Sequence, residues 1–176
     1  MTGSETPEAP RPGSAPSDAL VGPWSQGFVL RAGMPLRSKS NFRRSPRGEQ
    51  ESGAWARSKA FEESLGWLVR AARPDGWVLG DRSSPLEARP VVVAAIAACS
   101  RIDVANFSKS VLDACEGVLY VTDASVLGVI CLGERGVGDD TLLGFAQLGP
   151  GASPREVAAA LSVLGDSLAA RLADGG

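Results

Sequence analysis

Asp103, Asn106, Lys109 and Asp113 follow one another at three- and four-residue steps, and another carboxylate, Asp123, comes ten residues later, after a turn. On an ideal helix Asn106, Lys109 and Asp113 lie about 300°, 240° and 280° around from Asp103, so the four polar groups share one side. Lys109 and Asp113 stand i, i+4 and can pair, in the weaker order with lysine first. Carboxylates delivered by two elements, with a lysine between them, suit phosphodiester hydrolysis. Hard oxygens hold Mg²⁺, the ion keeps waters for the attack, and a nearby cation offsets charge on the pentacovalent phosphorus. A polar face is also what any solvated helix displays. The spacing alone leaves both readings open.

The rest of the composition narrows the chemistry. The chain of 176 residues has no histidine, which removes Ser-His-Asp and Cys-His nucleophiles and histidine-ligated zinc. Cys99, Cys115 and Cys131 are odd in number and form no Cys-x-x-Cys, so reduced, buried thiols are expected rather than disulfides or a zinc site. No run of eighteen apolar residues exists, and no basic start leads into an apolar stretch; a cytoplasmic protein with no membrane segment is the expectation. Net charge is −2, unusual for a nucleic-acid binder, but the charges are unevenly placed. Arg31, Arg37, Lys39, Arg43, Arg44 and Arg47 fall in one segment that contains no acid. Such a segment can grip phosphate locally while other faces stay acidic.

The elements that would position these residues are legible in outline. Residues 1–23 are rich in Pro, Ser, Gly, Glu and Ala and read as a disordered tail. Residues 26–32 read as a first strand that enters a basic loop, 33–53. Phe61, Leu65, Leu68, Val69 and Ala72 give helical spacing over 54–72, stopped by Pro74-Asp75-Gly76. Residues 90–98 read as a buried strand, and 104–115 as a helix with Val104, Phe107, Val111 and Cys115 on its core face and Gly117 as its left-handed cap. Strands are expected at 126–132 and 142–148. Between them Gly133–Gly138 reads as a hairpin loop, with no Gly-Lys-Ser/Thr to make it a phosphate cradle. Ser153-Pro154-Arg155-Glu156 is a capping box with proline at the first helical position, opening a helix to about residue 172. The expected architecture is α+β: one domain over 24–150 with a mixed sheet of about four strands and helices packed on it, then a C-terminal helix in 151–176.

Over residues 26–133 this layout resembles the RusA family of Holliday junction resolvases. The family signature is approximately Asp-x-Asp-Asn-x-x-Lys, an aspartate four residues after the lysine, a turn glycine, and a short run ending in Asp-Asp. Asp103, Asn106, Lys109, Asp113, Gly117 and Asp123 match it, with Thr122 replacing the acidic neighbour of Asp123. The segments 112–114 and 117–120 look like phage-type members, and Pro35–Arg47 is similar to their basic N-terminal loop. The resemblance implies a homodimeric Mg²⁺-dependent (or Mn²⁺-dependent) endonuclease acting on Holliday junctions or related branched DNA. It implies Asp103 and Asp123 as metal ligands, Lys109 stabilising the transition state and Asn106 orienting a ligand or phosphate. Arg37, Lys39, Arg43, Arg44 and Arg47 would bind the DNA backbone.

Ala105 departs from the pattern. It stands where the family places the second aspartate of the Asp-x-Asp pair. Two carboxylates and water can still hold magnesium, with weaker binding and altered geometry. Two further readings therefore stand beside the nuclease: a weakened or inactive relative that binds branched DNA, and a protein-interaction or scaffold domain built on the C-terminal helix. Trp24, Trp55, Trp67 and Trp77 read as packing residues rather than a base-stacking platform.

Overall fold

Val91–Ala98 is apolar at every position, and residues 91–97 are buried on both faces, the pattern of a central strand. The structure, a computed structural model, describes residues 18–20, 22, 24–34, 52–80, 89–98, 104–134 and 140–174. Its elements are β1 (Asp18–Ala19), β2 (Gln26–Ala32), α1 (Ser52–Ala72), β3 (Val91–Ala98), α2 (Val104–Cys115), β4 (Val126–Glu134), β5 (Thr141–Gln147) and α3 (Pro154–Asp174). The strands form one mixed sheet in the order β1-β2-β5-β3-β4. Only β3 and β4 are parallel, joined by α2 as the crossover that parallel neighbours need. The α+β expectation of a mixed sheet with packed helices agrees with this architecture.

Two local expectations are corrected. Asp18 and Ala19, assigned to a disordered tail, pair antiparallel with Val29 and Phe28 as a two-residue edge strand. The segment between β4 and β5 is no hairpin: β3 lies between the two strands and pairs with both. Alternating apolar residues are equally compatible with either neighbour, and strand order is decided by pairing partners distant in sequence.

Each face of the sheet has its own core. Alternate residues of β2, β3 and β5 (Phe28, Leu30, Val91, Val93, Leu143 and Phe145 among them) meet Phe61, Leu65 and Val69 of α1 and Phe107, Val111 and Cys115 of α2. Phe28 sits 5.1 Å from the Phe145 ring and edge-on to Trp77 at 5.5 Å, an arrangement that satisfies the ring quadrupoles. The opposite face, including Val29, Val92, Ala94, Ile96 and Ala146, is covered by Ala160, Leu164 and Leu168 of α3. Gly128 lets α3 approach β4: a Cβ there would lie 2.7 Å from a Leu161 methyl. The C-terminal helix is thus one layer of the domain, not an appendage. Among the described residues no helix is long and apolar enough to cross a membrane.

Candidate functional site

Strand direction decides where the candidate site residues lie. Val91 pairs with Val126 and Ala98 with Glu134, so β4 starts beside the start of β3. α2 begins after the other end of β3 and returns along the sheet. Its twelve residues span about 18 Å. Val104 therefore belongs to the end of the sheet where β3 finishes, and Asp123, three residues before Val126, to the end where β3 starts.

Hydrogen bonds fix the Asp123 end. Cys115 closes α2, and Gly117 follows at φ 74°, the left-handed conformation expected of the cap. Tyr120 folds back and donates from its hydroxyl to the Leu112 carbonyl at 2.6 Å. From the α1 side Arg73 donates to the Val118 carbonyl at 2.6 Å, and the Trp77 indole donates to the Leu119 carbonyl at 2.8 Å. Thr122 then caps a single 3₁₀ turn, Asp123–Ser125, by accepting from the Ala124 amide at 3.2 Å. Asp123 is exposed on this turn. Burial raises the Tyr120 phenol far above its ordinary value, helped by Cys115, Asp123, Asp113 and Glu116. The electrostatic neighbours of Asp123 are thus at the C-terminal end of α2.

At the opposite end lie the first turn of α2 and Met34, where the basic segment leaves β2; the Thr141 hydroxyl donates to the Met34 carbonyl at 3.0 Å. Arg31 pairs there with Asp140, Nε to Oδ2 at 2.7 Å. α1, into which the basic segment leads, packs its later residues against 114–118, so its first turn points back toward the same end. Asp103, Arg37, Lys39, Arg43, Arg44 and Arg47 lie outside the described residues, and Asn106 is placed only as a position in the first turn of α2. Lys109 is exposed and bonds Asp113 at 3.4 Å, the i, i+4 pair expected from the spacing. In water such a pair contributes about 0–1 kcal/mol.

The exit of the basic segment from β2 and the start of α2 lie at one end of the sheet, and Asp123 lies at the other end of that helix. The expected convergence of Asp103 and Asp123 on one ion rests on Asp103, which lies outside the described residues; Val104, the first described residue of α2, lies at the far end of that helix from Asp123. The parallel β3–β4 pairing puts a helix length between Val104 and Asp123. Among the described residues, no three carboxylate or thiol groups cluster as a metal site. Of the two ligands implied for Mg²⁺, Asp123 is exposed on its turn and Asp103 lies outside the described residues. Among the described thiols, Cys115 is buried and Cys131 half-buried, and both are free, while Cys99 lies outside the described residues; burial pushes the Cys131 thiol up to about 11, leaving it protonated near neutrality.

A feature that sequence reasoning passed over lies between α1 and α2. Ser58, Glu62 and Gly66 form one row on α1, facing Ser110 and Ala114 on α2, and a Cβ at Gly66 would sit 3.1 Å from the Ala114 carbonyl. The Ser58 and Ser110 hydroxyls are buried there without a hydrogen-bond partner. Outside this seam opens a cleft of about 350 Å³, rimmed by Lys59, Glu63, Trp67, Arg70 and Asp113. Trp67, expected to pack inside, is 68% exposed, and the Arg70 guanidinium lies 5.3 Å above its ring. Its place in the helical period shows why: Leu65, Leu68 and Val69 fill the apolar stripe on either side of it.

A scan against models of known protein families matches none of them, and a search of the curated proteins finds no matching relative.

Proposed function

We propose that this chain is a RusA-like protein that binds branched DNA through its backbone and does not assemble a metal centre for cleavage within one chain. The observation that carries the reading is the shared end of the sheet: the segment carrying Arg37, Lys39, Arg43, Arg44 and Arg47 leaves β2 at the end where α2 begins with its Asn106 and Lys109 turns. Helix N-termini attract phosphate through unpaired amides and the helix dipole, and flanking arginines add charge-assisted bonds. Contacts of this type follow the shape and charge of the duplex and carry little base specificity. On cleavage the reading is specific. Ala105 removes one expected acid, and the direction of β4 takes Asp123 away from the end where the other would act.

Two measurements test it. Affinity for a synthetic four-way junction should exceed that for linear duplex of equal length and fall steeply with salt. Arg43→Ala with Arg44→Ala should lower the slope of log K against log salt by about 2, near 0.9 for each lost phosphate contact. Equal affinity for both DNAs, or an unchanged slope, would sink the binding reading. In nicking assays with Mg²⁺ or Mn²⁺, Ala105→Asp should leave an isolated single chain inactive. Cleavage restored by that substitution in a demonstrably monomeric sample would overturn the account of the metal site.

A further inference from the structure

Among the seven residues of β2, Arg31 alone is exposed, and alternation from Val29 puts it on the α3 side of the sheet. Ala32 pairs with Thr141, and Asp140, the residue before β5, turns its carboxylate to the Arg31 guanidinium. Nε and Nη2 both donate to the same oxygen, Oδ2, the former at 2.7 Å. The Arg31 side chain is 53% exposed and that of Asp140 27%, so both charges touch water and the pair adds little to stability. Its place says more than its strength. Arg31 stands six residues before Arg37 and lies at the end of the sheet where α2 begins. α3 ends there too: Val157 and Leu161 lie at Gly128, Leu164 and Leu168 at Gly144, so its last turn, with Arg171, reaches the Arg31 end. Glu134, the acid at this end of β4, is three strand spacings from β2, about 14 Å. The acid that the fold sets against Arg31 is Asp140.

We propose that Arg31 is a further phosphate contact, held back by an internal competitor: Asp140 occupies its guanidinium until a DNA phosphate takes the carboxylate's place. The inference rests on the DNA reading above and adds to it one contact and its restraint. The exchange swaps one oxyanion for another on the same donors, and neither partner leaves a dry interior. A phosphate can meet the two N–H groups with two oxygens, where Asp140 supplies one. While the carboxylate stays beside it, Arg31 brings no net charge to the DNA and displaces no counterion. Asp140 therefore sets the affinity of this end of the sheet below what its arginine alone would give.

Salt titrations of four-way junction binding by the full chain test it. Asp140→Asn should tighten binding about fivefold at 0.15 M salt and steepen the slope of log K against log salt by about 0.9, the value for one phosphate contact. Asp140→Ser should do the same, so that the asparagine's own hydrogen bonds are not the cause, and both variants should keep the parent's urea midpoint. Arg31→Gln with Asp140→Asn should return affinity and slope to those of the parent. Glu134→Gln removes an equal charge at the same end, beyond the screening length from Arg31, and should gain no more than about twofold. Unchanged or weaker binding by both Asp140 variants, a gain that survives the loss of Arg31, or an equal gain in Glu134→Gln would each overturn the proposal. Arg43→Ala with Arg44→Ala, run in parallel, separates the two levels. A slope lowered by that pair and unmoved by Asp140→Asn overturns this inference alone; a slope unmoved by either overturns the DNA reading with it.

Discussion

Gln147 has no exposed surface, yet its carboxamide is fully used: Nε2 donates to the Val78 carbonyl at 2.6 Å, and Oε1 accepts from the Val78 amide at 3.1 Å. The side chain imitates one rung of a β-ladder and pins the segment after α1 to the sheet. Gln147→Leu should cost about 1–3 kcal/mol in urea unfolding, since it strands two backbone groups rather than one. Ser153 and Glu156 show the reciprocal case at the surface. Glu156 accepts from the Ser153 amide at 2.7 Å, and its own amide donates to the Ser153 hydroxyl at 3.3 Å, the box that the sequence predicts. Those bonds from Ser153 hold the Glu156 carboxyl below its ordinary value of 4.5. The folded chain thus releases this proton more readily than the unfolded one. The associated stability is complete above the unfolded value and is lost as pH falls through the folded one. A pH series of thermal melts should show that loss in the parent and not in Glu156→Gln. Ser153→Ala should lower stability by about 1 kcal/mol as a lost cap.

Elements with a strong local signal were legible in the sequence, and those whose placement depends on distant partners were not. β2 and α2 occupy the expected residues because alternation and i, i+4 spacing are written into Gln26–Ala32 and Val104–Cys115 themselves. The position of Asp123 was not legible for the opposite reason. Its separation in sequence from Asp103 says nothing of whether β4 runs with or against β3, and that choice sets which end of α2 it occupies. Likewise the α1–α2 seam has no sequence signature beyond small residues on two facing rows. Its two unpartnered hydroxyls make a prediction: Ser110→Ala should be neutral or stabilising by up to about 1 kcal/mol, because it removes a desolvated polar group. On the other face, Gly128→Val should cost about 1–3 kcal/mol, since its side chain would collide with Val157 and Leu161 of α3.

For the molecule as a whole, the last strand to be made occupies the middle of the sheet. β5 pairs Gln26 with Gln147 on one side and Val91 with Gln147 on the other, so neither β2 nor β3 has its principal antiparallel neighbour until residues 141–147 exist. Contacts between such distant parts of a chain are slow to form, because loop closure precedes any reward. During synthesis the ribosome would release two apolar strands long before their shared partner arrives. A product ending near residue 140 should accordingly be insoluble rather than partly folded, and a chaperone that shields extended apolar segments should raise the yield of the full chain more than one that acts on compact intermediates.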